Sequence, residues 1–252
     1  MSTATLAAPP AGRDARPGLG RLTAVELRKM TGTRAGFWLL LGTVALTAVA
    51  VTLLAAFGKT EDHALVDFLG VAAAPVSIVL PIAGILLVSS EWSQRTSLLT
   101  FTLVPHRARV IAAKLLAAVV LSLAALQVCV AFALLGTAAV DGDFTLSAAL
   151  LGQVAIFVVT GMITGVAFGA MLLSSAPAIV LYFALPLGWT ALGSLAFFEG
   201  AARWLDGARS LSPMTEELLS STQWARAGTT LALWMLLPLL IGLWRVTRGD
   251  VR

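Results

Sequence analysis

The chain has 252 residues, 58% of them hydrophobic and 12% charged, with a mean hydropathy of +0.92 and a formal net charge of +4. Soluble domains carry roughly 25% charged residues, so this composition excludes an ordinary soluble globule. The basic pI, about 10.0, does not point to nucleic acid, because the cations form no soluble basic domain.

Residues 1–18, rich in Ala, Pro, Gly and Arg, have no apolar run. They read as a disordered cytoplasmic tail and not as a cleaved signal peptide. The remainder, 19–252, reads as one membrane domain. Its first segment, 19–34, places Leu19, Leu22, Leu27 and Met30 on one side of a helix wheel, with Arg21 and Arg28 opposite. Glu26 intrudes on the apolar side. This pattern predicts an amphipathic helix lying on the cytoplasmic leaflet, its cations near anionic headgroups.

Six stretches then follow that are apolar enough to span a bilayer: Ala35–Gly58, Phe68–Ser90, Val110–Val140, Phe144–Ser174, Ala176–Phe198 and Ala227–Trp244. A helix of about 20 residues crosses the ~30 Å hydrocarbon core. Lys114 is the only charged side chain inside any of them. The expectation is an all-α integral membrane protein with six transmembrane helices.

Charge placement orients them. Six Lys and Arg lie in the N-terminal segment (Arg13, Arg16, Arg21, Arg28, Lys29 and Arg34). Four more lie in and just beyond the loop between spans two and three (Arg95, Arg107, Arg109 and Lys114), and three at the C-terminus (Arg245, Arg248 and Arg252). The opposite side receives only Lys59, Arg203, Arg209 and Arg226. The positive-inside rule therefore puts both termini in the cytoplasm. Trp38, Trp92 and Trp244 would line that interface, and Trp204 and Trp224 the outer one.

The outer connections are short between spans one and two (Lys59–Asp67) and tight at Asp141-Gly-Asp143. On the cytoplasmic side, spans four and five meet across Ser174-Ser175-Ala176-Pro177, with proline suited to a first helical turn. The outer segment Glu199–Arg226 mixes Trp204, Leu211, Met214 and Trp224 with charges, predicting two short helices at the outer leaflet. Ser212-Pro213 is expected to start one of them, serine as N-cap and Glu216/Glu217 early in the helix. In span four, Gly161, Gly165 and Gly169 recur every fourth residue, a small-residue groove for close helix packing within the subunit. Pro75, Pro81, Pro186 and Pro238 fall inside spans and should kink them or free carbonyls. Gln127 and Gln153 are the most polar side chains within the spans, and interhelical hydrogen bonding accounts for them best.

No phosphate-binding Gly-x-x-x-x-Gly-Lys-Ser/Thr occurs, no His-Glu-x-x-His, and no Cys/His cluster with metal spacing. His63 and His106 lie in loops on opposite sides, and Cys129 is the sole cysteine. No Asp or Glu lies at mid-depth to couple a proton or sodium ion. An enzyme is therefore not expected, no cofactor or metal is required, and energy for any transport must come from a partner.

The cytoplasmic loop reads EWSQRTSLLTFTLVPHRARVIAAK from Glu91 to Lys114. In this order of motifs the chain resembles the type-two permease subunits of bacterial ATP-binding-cassette (ABC) transporters. The resemblance takes in Glu91, Arg95-Thr96, the apolar run Leu98–Leu103, Pro105, Arg107 and Lys114. It extends to residues 25–40 and to the closing basic run 243–252. Arg95-Thr96 stands where glycine-threonine is commoner in that family, suggesting a subgroup.

The resemblance implies a short cytoplasmic coupling helix between spans two and three, with Glu91, Arg95, Thr96, Leu99, Phe101, Pro105 and Arg107 contacting a separate ABC ATPase subunit that binds the ATP. It further implies a semi-helical outer loop before span six, a homodimer or pseudo-dimer of permeases in the plasma membrane, and export along a path between subunits past spans two and five. An apolar lining would suit an amphiphilic cargo. The alternative is a non-transporting anchor or sensor subunit that binds a cytoplasmic partner through the same loop.

Overall fold

The computed structural model describes residues 18–93, 107–195 and 197–248, and of 62, 93, 107 and 248 the backbone alone. Among these residues there are no β-strands, and six helices are long and apolar enough to cross a membrane. In chain order they are α2 (Arg34–Phe57), α3 (Leu65–Ser93), α4 (Arg107–Ala139), α5 (Ala148–Leu172), α6 (Ser175–Leu192) and a composite sixth over 221–248. A helix α1 (Leu19–Gly32) precedes them.

Both ends of the described chain lie at the same end of the bundle, here the terminal end; the opposite end is the loop end. The spans begin and end close to where hydropathy put them, with three corrections. The fourth starts at Ala148, because Ser147 caps it by accepting the Leu150 amide at 3.1 Å, leaving Phe144 in the extended turn before it. The fifth stops at Leu192, short of Phe198. The sixth begins at Ser221, well before Ala227, where Ser220 and Gln223 form a reciprocal capping box.

α3 is the central helix. It packs along α5, α4 and α2, and 56% of its most apolar window is buried. Its contact with α5 is backbone against backbone. A Cβ added at Gly165 would stand 2.7 Å from Pro81 Cα, one at Gly169 2.7 Å from the Ile85 carbonyl oxygen, and one at Gly84 2.7 Å from the Met162 carbonyl oxygen. Without a hydrophobic drive between helices in lipid, this close approach is what holds them. Gly161, the third glycine of the expected groove, has no atom within 4 Å of an added Cβ and takes no part. Gly242 instead meets Ala170 on the other flank of α5.

Pro75, Pro81 and Pro186 are absorbed within continuous α-helix. Ahead of Pro238 the last span widens into a π-helical stretch, Ala232–Leu236, before α10 (Leu237–Arg248). The Leu237 amide there reaches back to the Ala232 carbonyl, five residues away, just before the proline that can donate no bond.

At the loop end, α7 (Glu199–Leu205), α8 (Gly207–Leu211) and a four-residue 3₁₀ turn, Ser212–Thr215, precede α9 (Ser221–Leu231). Two short helices were expected here, but the Ser212-Pro213 start differs. Leu211 occupies the N-cap, Ser212 makes no cap bond, and Glu216 and Glu217 follow the turn instead of entering a helix. The segment is fastened by Gln153 of α5. Its amide nitrogen donates to the carbonyls of Met214 (3.1 Å) and Glu217 (2.6 Å), while its oxygen accepts the Leu219 amide (3.1 Å). Gln153 thus bonds a loop backbone, not another span. Gln127 is exposed on α4.

Candidate functional site

The sequence leaves two charges out of place: Glu26 on the apolar side of α1 and Lys114 inside a span. The structure puts them together. Lys114 Nζ lies 2.7 Å from Glu26 Oε2 and 3.0 Å from both Glu91 Oε1 and the Leu87 carbonyl oxygen. An ammonium has three protons, and here it finds three acceptors. Lys29, one turn after Glu26, donates to Glu26 Oε1 at 2.8 Å and to Glu91 Oε1 at 2.7 Å. The two acids and two cations balance one another in charge.

Burial explains why they must balance. Glu26 and Lys114 are each 4% exposed and Glu91 7%. A charge at the centre of a span costs roughly 2.5–3.5 kcal/mol on insertion scales, and an unpaired buried charge several kcal/mol. Lys29 sits at the rim. Burial lowers its pKa, but the hydrogen bonds it donates to Glu26 and Glu91 and their attraction outweigh that and raise it above the ordinary lysine value. The face α1 turns to the bundle is therefore Thr23, Glu26 and Met30, with Leu22 and Leu27 half-buried beside them. Leu19, expected on that face, is exposed, as are Arg21 and Arg28.

The cluster's position gives it meaning. Glu91 lies in the last turn of α3 and Lys114 in the second turn of α4, so the two residues bracket the segment 94–106. Glu26 and Lys29 add α1 as a third member. The end of α3 and the start of α4 are thus clamped to each other and to α1. Beside the clamp, an apolar cleft between α3, α4, α5 and α10 is lined by Val88, Ile111, Val166, Leu239 and Leu243, with Trp92, Glu91 and Lys114 at its polar end. Arg245 of α10 donates to the Met171 carbonyl at the end of α5, closing the bundle on that side.

Of the residues expected to contact an ATPase, Glu91 is placed in this cluster. Arg107 is the first residue of α4. Arg95, Thr96, Leu99, Phe101 and Pro105, with the coupling helix itself, lie outside the described residues, as do residues 1–17 of the tail and 249–252 of the closing basic run. Sequence reading missed Glu26, Lys29 and Lys114 as partners of Glu91. The signal was available: two opposite charges, each the misfit on an otherwise apolar face.

Among the described residues no group of His, Cys, Asp or Glu could hold a metal ion. The clamp offers no nucleophile and no proton acceptor free of a partner. Its chemistry is mechanical, fixing three helix segments to one another. Comparison with protein-family models, with curated proteins and with solved structures found no match.

Proposed function

We propose that this chain is the membrane-spanning permease subunit of an ATP-driven ABC exporter in a bacterial plasma membrane, docked to separately encoded ATPase subunits and working as a dimer. The observation that carries this reading is the four-charge clamp. A bundle with no ATP-binding motif and no mid-depth acid needs an external drive, and the drive needs a stiff handle. The segment 94–106 is bracketed by Glu91 and Lys114, and both are held against α1 through Glu26 and Lys29.

A push on that segment would reach α3, the central helix, and α4 together. Leu98, Leu99, Phe101 and Leu103 supply the apolar anchors such an interface needs, and Arg95 and Arg107 its rim. α1 would lie in the cytoplasmic interface, its outward Arg21 and Arg28 near headgroups and its exposed Leu19 and Val25 entering the acyl boundary. Any inter-subunit path past spans two and five would draw mainly on α6, only 6% buried in its window, since among the described side chains α3 exposes just Ala74 and Ile78.

The test is purification of the tagged chain from its own host's membranes in mild detergent. A stoichiometric partner that photolabels with an azido-ATP and hydrolyses ATP is expected. A chain that purifies intact with a partner unable to bind nucleotide would favour the anchor or sensor reading instead.

A further inference from the structure

Lys59, Arg203, Arg209 and Arg226 stand at the loop end, and all but the last answer an acid close by. Lys59 pairs with Glu61 at 3.5 Å, Arg203 with Glu199 at 3.7 Å and Arg209 with Asp206 at 3.5 Å. Arg226, in the second turn of α9, has no carboxylate partner among the described residues. Its guanidinium carbon lies 5.9 Å from the centre of the Trp204 ring of α7, and its Nε is buried without a hydrogen bond. The two terminal nitrogens also lack a protein acceptor, but they remain within reach of the surface. Held by its inner edge, the guanidinium keeps four N–H donors in a fork that fits phosphate oxygens two at a time.

The span itself fixes the depth. Residues 227–244 carry no charge, and Arg245 follows at the terminal end. The two arginines stand ~28 Å apart along the helix at a rise of ~1.5 Å per residue, close to the ~30 Å hydrocarbon core. Arg226 is therefore level with the phosphates of the leaflet at the loop end. Its surroundings suit that layer. Trp204 is 42% exposed, and Trp224, Leu218 and Phe197 are exposed at the same end of the bundle. Tryptophan favours the headgroup zone, and an unpaired guanidinium there needs an anion that the protein does not supply.

We propose that Arg226 and Trp204 form a binding site for the phosphate of one membrane phospholipid in that leaflet. The terminal nitrogens of Arg226 donate to the phosphate oxygens, and the exposed ring of Trp204 meets the start of the acyl chains. Depth decides for a lipid over a free anion, because the cation stands where the bilayer presents its own phosphates. Trp204 belongs to α7 and Arg226 to α9, so the bound lipid fastens the loop helices to the last span. The site needs no ATPase partner and goes beyond the proposed function.

The test uses the intact chain, purified in mild detergent, stripped of lipid and titrated with dioleoyl phosphatidylglycerol. Native mass spectrometry then counts the lipids retained. Arg226→Gln is expected to carry one lipid fewer than wild type, whereas Arg203→Gln, whose arginine already faces Glu199, carries the full number. Phosphatidylglycerol should also raise the melting temperature of wild type more than that of Arg226→Gln. Neither dioleoylglycerol, which lacks the phosphate, nor inorganic phosphate should separate the two. Arg226→Lys keeps the charge without the fork and should hold that lipid more weakly. Lipid retention at the wild-type level by Arg226→Gln, or by Arg226→Lys where the glutamine variant does not fold, overturns the proposal. A separation of wild type from Arg226→Gln by dioleoylglycerol, or by inorganic phosphate and not by the lipid, overturns it equally.

Discussion

Lys114→Met is the most informative single change. It removes three hydrogen bonds at once, to Glu26 Oε2, Glu91 Oε1 and the Leu87 carbonyl. Glu26 and Glu91, both less than a tenth exposed, then lose their buried cation, Lys29 at the rim remains the cation that bridges them, and this group of four is one positive charge short. Breaking a buried ion pair by deleting one partner typically costs about 3–5 kcal/mol. For a chain of this size that corresponds to a fall in melting temperature of ~6–20 °C. The assay is thermal melting in detergent, read by size-exclusion chromatography with fluorescence detection. Restoring neutrality should restore stability. Glu26→Gln combined with Lys114→Met leaves one pair, Lys29 with Glu91, and should melt within the equivalent of ~1 kcal/mol of wild type, since an apolar or neutral replacement of a buried pair is often nearly silent. A Lys114→Met chain that melts like wild type refutes the charge-balance reasoning. So does a double variant whose losses simply add.

Two further predictions concern the contact between α3 and α5 and the rim of the clamp. Gly165→Ala should lower folded yield and melting temperature, since its Cβ would stand 2.7 Å from Pro81 Cα, whereas Gly161→Ala, in open space, should be neutral or stabilising by up to ~1 kcal/mol; equal behaviour of the two would remove the backbone contact between α3 and α5 from the account. Lys29, with its pKa raised above 10.5 by Glu26 and Glu91, contributes stability that is fully present below that value and lost as pH rises through the folded pKa. Protection of 19–32 from limited proteolysis should therefore be flat between about pH 6 and about pH 9 and fall above about 10.5. Lys29→Arg, always charged, should weaken that fall, and an unchanged alkaline profile would show that Lys29 is not its source.

The spans were legible because hydrocarbon permits so few charges, which makes apolar length an almost sufficient signal. Boundaries were less so: Ser147 and Ser220 set helix starts through local caps, and hydropathy does not register a capping serine. Ser212-Pro213 carried the right residues for a helix start, yet Gln153, distant in sequence, holds the following backbone in a turn and a loop. The glycine repeat of α5 was half right because its period follows the helix while contact follows the neighbour, and α3 reaches Gly165 and Gly169 but not Gly161. The clamp was hidden for a related reason. Glu26 and Lys114 are far apart in sequence, and only packing reveals that two local misfits answer each other. Each could have been found by asking what an isolated charge on an apolar face must be facing.

The central claim is that the segment bracketed by Glu91 and Lys114 is where an ATPase grips this bundle. The measurement is co-purification of the ATP-hydrolysing partner with membrane-inserted wild type, Leu99→Asp, Phe101→Asp and Arg95→Ala. A buried apolar anchor changed to a charge should abolish an interface of this kind, and a rim charge should only tune it. Leu99→Asp and Phe101→Asp are therefore expected to lose the partner while inserting normally, and Arg95→Ala to retain most of it. Wild-type levels of partner on both aspartate variants would contradict the account.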